Sequence, residues 1–395
     1  MSRNRVNRQA FIVGVGQTEY RKWGRFNERT ELSLACEAIR NAANDAGLAL
    51  AEVDGFASFA NDPNEGQILQ QALGTGPLRF SGAQWGGGGA GACGAVALAA
   101  MAVESGRAEC VVVVRALAQG QRGRFGQFRP GRPHSNFMTP FGLFSPPQYF
   151  SLLAMRFMHD FHVTEEHLAQ LVMNAHEHAS RNPDALAYSK PLLDRETYFD
   201  SRMISEPFRI YDCALETDGA CAVIVTSNER AKDLRSTAVA ILASGQGSEP
   251  GWGMGPIGVH TQPMDKYTTG NHAALARRLF DQAGVGVEDV RVAQIYDNFS
   301  LLPLYALEDY GFCGRGEAAA FLEAGGIAGE RPRVKLNTSG GHLAEGYVHG
   351  LTHVLEGARQ VRGTSHNQAV DADVCLVVSS LALSPASALI LGKNQ

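Results

Sequence analysis

The sequence predicts an α/β protein made of two similar modules, and three internal matches carry that prediction. Phe11-Ile12-Val13-Gly14-Val15-Gly16-Gln17 returns as Val239-Ala240-Ile241-Leu242-Ala243-Ser244-Gly245-Gln246. Asn44-Asp45-Ala46-Gly47-Leu48, leading into Val53-Asp54-Gly55-Phe56, returns as Asp281-Gln282-Ala283-Gly284-Val285, leading into Val290-Arg291-Val292-Ala293. The glycine run 86–91, an apolar helix pattern and Ala108-Glu109-Cys110-Val111-Val112-Val113 return as Gly340-Gly341, a helix pattern and Ala372-Asp373-Val374-Cys375-Leu376-Val377-Val378. Strand, helix, strand, glycine turn, helix and strand thus occur twice in one order, which implies duplicated modules and a site where they meet.

Each element has its own local reason. Runs 10–15, 110–114, 220–225, 239–243, 292–295 and 374–378 are short, apolar and continuous, as strands buried on both faces must be. Helical periodicity covers 31–46, 94–106 and 271–283, so strand and helix alternate and the sheets are expected to be largely parallel. The division expected is a first module over 1–235 and a second over 236–395. Segment 120–202 has no counterpart in the second half and reads as an insertion over the cleft between modules. It opens on Arg122, Arg124, Arg129 and Arg132 and contains helix patterns over 151–159 and 165–181.

Composition narrows the function. Across 395 residues, 45% are hydrophobic and 19% charged, enough apolar material for more than one core and far from a disordered composition. A net charge of -5 argues against nucleic acid as a partner. The longest apolar stretch, 95–103, is too short to span a bilayer, so no membrane is expected. Arg3, Arg5 and Arg8 precede no apolar signal core, and the expectation is a cytoplasmic protein. Its seven cysteines form no close pair of metal-ligand type and read as small buried hydrophobes.

Gly86, Gly88 and Gly91 have the spacing of a dinucleotide fingerprint. Residues 79–85 make a poor buried strand before it, however, and no acidic residue closes a following strand at the required distance. Two readings stay open: a tight turn that admits close helix packing, and a helix N-terminus at the floor of a substrate cleft.

Three blocks are more specific. Residues 101–110, Tyr296-Asp297-Asn298-Phe299, and Asn337-Thr338-Ser339-Gly340-Gly341 through Glu345-Gly346-Tyr347-Val348-His349-Gly350 resemble, in this order, the motif blocks of the thiolase superfamily, nearest its sterol carrier protein x branch. The resemblance runs along the whole chain. It implies a thiolase fold of duplicated modules in five αβαβα layers, a homodimer, and acyl-CoA thioester substrates.

The departures define the chemistry. Gly89 stands where a thiolase carries its nucleophilic cysteine, Tyr296 where that branch has the histidine of His-Asp-Cys-Phe, and Tyr347 where it has the histidine of Gly-His-Pro. The C-terminal loop 379–384 lacks the second cysteine. Thiolysis needs a thiolate and a base to activate it, and those parts are missing together. This pattern resembles the thiolase-like aldolases of bacterial steroid side-chain degradation, with agreement at 124–127, 201–209 and 212–220. The resemblance implies retro-aldol cleavage of a 3-hydroxyacyl-CoA whose hydroxyl sits on a ring carbon. A steroid side chain would give a 17-ketosteroid and propionyl-CoA. Tyr296 and Tyr347 are the expected proton-transfer pair. Gly89, Asp297, Asn298, Asn337, His349 and Arg124 are the expected substrate-binding or supporting residues.

No cofactor is expected beyond the CoA of the substrate, and no metal: His349 and His353 stand four apart on a helix pattern with His342 nearby, but zinc needs a further ligand. The arginines at 122–132 could meet CoA phosphates or lie in a solvated loop. The resemblance also implies a small partner with an OB-fold and a zinc ribbon, of the kind associated with acyl-CoA hydratases. Two other readings remain: a non-catalytic acyl-CoA-binding or lipid-binding subunit, and an acyltransferase using Cys93, one helical turn beyond Gly89.

Overall fold

The computed structural model describes residues 8–26, 28–60, 62–86, 90–122, 138–234, 237–252 and 267–393. Gly89, Arg124, Arg129 and Arg132 lie outside the described residues, and so do the expectations attached to them. Strands β1 (Ala10–Gln17), β2 (Gly55–Phe59), β3 (Phe80–Gln84), β4 (Cys110–Leu117) and β5 (Thr217–Ser227) come from the first half of the repeat. Strands β6 (Val239–Gly247), β7 (Val292–Ile295), β8 (Lys335–Leu336), β9 (Val374–Ser379) and β10 (Ala386–Lys393) come from the second.

Their order in the sheet is β3-β2-β4-β5-β1 and β8-β7-β9-β10-β6, the same permutation twice. The ladders repeat too. β2 is parallel to β3 and β4, and β5 runs antiparallel to β4 and β1. β7 is parallel to β8 and β9, and β10 runs antiparallel to β9 and β6. The halves join where β1 and β6 pair over two residues, Phe11↔Ala240 and Ile12↔Val239.

The expectation of largely parallel sheets is therefore corrected: each half is mixed. A parallel neighbour needs a crossover, whereas β10 follows β9 after a short loop and returns antiparallel. Residues 79–85, a poor candidate for a buried strand, contain β3. It is an edge strand whose burial alternates along its length, so its apolar content is low.

Among the described residues, the helices of eight or more residues are α1 (Glu31–Ala46), α2 (Gly66–Leu73), α3 (Ala92–Glu104), α4 (Pro146–Phe161), α5 (Glu165–Ala179), α6 (Ala273–Ala283), α7 (Leu302–Asp309) and α8 (Leu351–Arg362). Side-chain alternation along the strands sorts them into layers. Phe11, Val13, Val112, Val114 and Ile224 share a core with α1 and α2. Ile12, Val111, Val113, Val223 and Val225 face the other way, into a core with α3, α8 and Val239, Ile241, Val377 and Leu391 of the second half. On the far side, Leu376, Val378 and Ile390 pack with α6 and α7. The result is αβαβα. α3 is apolar around its circumference because sheets lie on both sides of it. Gly16 shows how closely layers approach: a Cβ there would stand 2.3 Å from the Ala38 carbonyl oxygen on α1.

Within 138–202, Phe150, Phe157 and Leu168 of α4 and α5 join the core that holds Ile295, Phe299 and Leu304. Asn174 donates to the Leu336 carbonyl and Asn182 to the Ser339 carbonyl, while the Leu186 amide donates to the Glu345 carbonyl. This segment is thus fastened to 336–345, the stretch leading to Tyr347.

Candidate active site

Two loops at the end of the second sheet half carry the tyrosines. β7 ends at Ile295, and the Tyr296 amide donates to the Val378 carbonyl at 3.0 Å, continuing the ladder by one residue. Asn337 holds the same point from the other side. Its Oδ1 accepts from the Ile295 amide at 2.7 Å and its Nδ2 donates to the Ile295 carbonyl at 2.9 Å. Tyr347 follows the short helix Gly341–Ala344, and its amide donates to Thr217 Oγ1 at 2.9 Å. Between the loops runs segment 212–217. The Ser300 amide donates to the Asp212 carbonyl, the Ala214 amide to the Asn298 carbonyl and the Leu215 amide to the His342 carbonyl. So fastened, the Tyr296 and Tyr347 hydroxyls meet at 2.6 Å.

Burial sets their electrostatics. Tyr296 is fully buried and Tyr347 partly so. Desolvation raises both phenols, Tyr347 to about 12 and Tyr296 well above its ordinary value. The hydrogen bond from Tyr296 and the Arg115 guanidinium both favour ionised Tyr347, whereas the charges of Tyr347 and Asp297 disfavour ionised Tyr296. Of the pair, Tyr347 therefore ionises first. His342 lies edge-on to both tyrosine rings, at 4.7 and 4.9 Å between centroids, and burial holds its pKa far below the usual value, so it is neutral.

The other expected residues support this pair from behind. Asp297 Oδ1 accepts from the His342 amide at 2.8 Å and lies 3.1 Å from His353 Nε2. Asn298 is half-buried and fixes segment 212–217 through its carbonyl. Asn337, at φ +50°, is the clamp on Ile295. His349 meets the Tyr347 ring at 5.1 Å, and its Nδ1 accepts from Arg115 Nε at 3.1 Å. It precedes α8 at φ +51°, so the expectation that it shares a helix with His353 is corrected: Gly350 caps that helix and begins it after His349.

Sequence reasoning passed over Arg115, Asp62 and Thr217. Arg115 pairs with Asp62 at 2.6 Å, both side chains withdrawn from solvent. A signal was present: a cation one residue beyond the apolar run 110–114, on a strand buried over its whole length.

Cys93 sits in the first turn of α3, fully buried. Its amide donates to Ser379 Oγ at 3.1 Å, its Sγ faces the Val377 carbonyl at 3.5 Å, and burial pushes the thiol up to about 12. A nucleophile must be ionised and reachable, and this thiol is neither. Cys93→Ala is expected to keep turnover within about threefold of wild type while lowering the unfolding midpoint, since the loss is one of packing. An inactive but folded Cys93→Ala would restore the acyltransferase reading.

Residues 258–393 match the family model described as thiolase C-terminal domain-like. The chain is 38% identical to the 17-hydroxy-3-oxo-4-pregnene-20-carboxyl-CoA lyase of Mycobacterium tuberculosis, over 97% of this chain and 99% of that one. It is also 38% identical to the steroid side-chain-cleaving aldolase of Thermomonospora curvata, over 98% of each chain. The solved structure of an Ltp2-ChsH2(DUF35) aldolase superimposes with a TM-score of 0.90 at 36% identity, over 98% of both chains.

Proposed function

Because the chain belongs to the thiolase superfamily, alongside its steroid side-chain-cleaving aldolases, we propose that it is a carbon–carbon lyase that splits a steroid side-chain CoA thioester by retro-aldol cleavage. The substrate in this reading carries a hydroxyl on ring carbon 17, β to the thioester carbonyl, and the products are a 17-ketosteroid and propionyl-CoA. The observation that carries the reading is the pair of tyrosine hydroxyls at 2.6 Å, in a chain whose Cys93 thiol is buried and held up to about 12.

Tyr347 takes the proton of the 17-hydroxyl. As the oxygen becomes the ketone, the bond from carbon 17 to the thioester α-carbon breaks and its electron pair moves into the thioester enolate. Tyr296, which holds its proton more tightly, donates toward Tyr347, and the pair returns a proton to the α-carbon. No bond to the enzyme forms. With Tyr347 at about 12, the phenolate that accepts this proton lies about 7 kcal/mol above the phenol at neutral pH, a cost included in the barrier, and return of the proton to the α-carbon regenerates the phenolate. A turnover of about 10 per second corresponds to a barrier of about 16 kcal/mol, which accommodates that cost. The chemistry needs no cofactor beyond the substrate's CoA.

The proposal includes a homodimer, for which the unpaired edge of β3 offers a surface, and a small OB-fold and zinc-ribbon partner completing the acyl-CoA channel. The complex named in the similar solved structure supports the second point. The bacterial cytoplasm is the compartment proposed.

The test is incubation with a 17-hydroxy steroid side-chain CoA thioester, with and without that partner, followed by mass analysis. Equal amounts of 17-ketone and propionyl-CoA are expected. Intact substrate under both conditions would overturn the reading in favour of a non-catalytic binding subunit.

A further inference from the structure

Behind the tyrosines, three elements each send one ligand-type side chain to a common point. Asp297 follows β7, His342 lies in the short helix Gly341–Ala344, and His353 lies in the first turn of α8. All three are withdrawn from solvent, at 1%, 0% and 0% exposure. Asp297 Oδ1 stands 3.2 Å from His342 Nδ1 and 3.1 Å from His353 Nε2, and the three ligand atoms lie within 4.8 Å of one another. Along the sequence His349 and His353 stand four apart with no further zinc ligand evident. Folding instead brings His342 and a carboxylate to His353.

A hydrogen-bonded cluster accounts for only part of this arrangement. His353 Nε2 bonds Asp297 Oδ1, but among the described residues neither ring nitrogen of His342 has a hydrogen-bond partner, nor does Asp297 Oδ2 or His353 Nδ1. A buried polar atom without a partner is destabilising unless something else satisfies it. Asp297 Oδ2 is also pressed toward the backbone, since a Cβ on Gly341 would stand 2.2 Å from it. His342 Nδ1 is close to the carboxylate without the geometry of a hydrogen bond to it, as two ligands of one ion would be. Ligands about 2.0–2.1 Å from a tetrahedral ion stand about 3.3–3.4 Å apart, near the two separations observed. Two imidazoles and one carboxylate form a donor set that suits zinc.

We propose that Asp297, His342 and His353 bind one divalent cation of the zinc class. The ion ties together the elements that carry Tyr296 and Tyr347, and its role is structural: it holds the loop after β7 and the 341–347 segment against α8. The site rests on its own geometry and not on the aldolase reading, and its test needs no substrate.

The full chain is produced in zinc-supplemented medium, passed over a desalting column, and its metal content measured by mass spectrometry. About one equivalent of zinc per chain is expected, lost in both His342→Leu and His353→Gln. Should a zinc-carrying partner co-purify, the difference between wild type and variant is the quantity read. Wild type reconstituted with Co²⁺ is expected to show the visible bands of a tetrahedral site, and His342→Leu to lack them. Circular dichroism establishes that the variants compared are folded. Should either variant fail to fold, the other carries the comparison, and the Co²⁺ spectrum of wild type stands alone if both fail. Wild-type zinc no higher than in a folded variant, or Co²⁺ giving no tetrahedral spectrum with the wild-type chain, would overturn the assignment and leave a metal-free hydrogen-bonded cluster.

Discussion

Tyr296→Phe and Tyr347→Phe are each expected to lower kcat by about 10² to 10⁴-fold, the range for a lost general acid or base. Both substitutions keep the ring and its contacts with His342 and remove one hydroxyl of the 2.6 Å pair. Their effects on stability differ. Tyr347 is partly exposed, so in Tyr296→Phe its hydroxyl turns to water, and the melting temperature stays close to wild type. Tyr347→Phe leaves the buried Tyr296 hydroxyl without its partner, at about 1–3 kcal/mol. Because the two act as one unit, the double variant is expected to be little slower than either single variant. Steady-state kinetics beside thermal denaturation checks all three. Multiplicative losses in the double variant would mean two independent roles, and wild-type rates in both single variants would remove the tyrosines from the mechanism.

What was legible in the sequence follows from how far apart the interacting residues lie along the chain. The repeat exposed the topology because each strand and helix carries its own local pattern. The run 110–114 and the helix 31–46 are cases where burial on a defined face dictates composition. Edge strands and returning strands escape this logic. β3 is half exposed, and β10 gains one of its two neighbours, β6, from residues far earlier in the chain.

At the site, motif order placed Tyr296 and Tyr347 in register with a known pair of positions, but nothing in the sequence says that their hydroxyls touch. Contacts such as Tyr347 with Thr217, or Arg115 with His349, link residues more than a hundred positions apart and appear only when the layers are assembled. The same holds for Asp297. As part of a motif it reads as either a substrate-binding or a supporting residue, and the fold turns it inward toward His342 and His353.

Arg115→Met is expected to destabilise the protein by about 3–5 kcal/mol, the cost of leaving a buried partner charge unmatched. Its guanidinium lies 2.6 Å from Asp62 Oδ2, with side-chain exposures of 2% and 0%, so water cannot replace it without opening the layer. The Ala116 amide also donates to that oxygen at 3.2 Å and holds the carboxylate in place after the arginine is gone. His349 loses the donor to its Nδ1 as well. Adding Asp62→Asn to Arg115→Met removes the stranded charge and is expected to recover a large part of the loss, measured as the shift in urea midpoint at constant slope. Catalysis is expected to report a separate effect. Arg115 is the cation that favours ionised Tyr347, so its removal drives that phenol further up and slows proton abstraction in the molecules that remain folded. Arg115→Lys separates the two roles: it keeps the charge near Tyr347 while losing the fixed fork that reaches Asp62 and His349 together. A lysine variant that retains most of kcat but little of the lost stability is the expected outcome. A methionine variant as stable and as fast as wild type would show that this buried pair supports neither the fold nor the tyrosines.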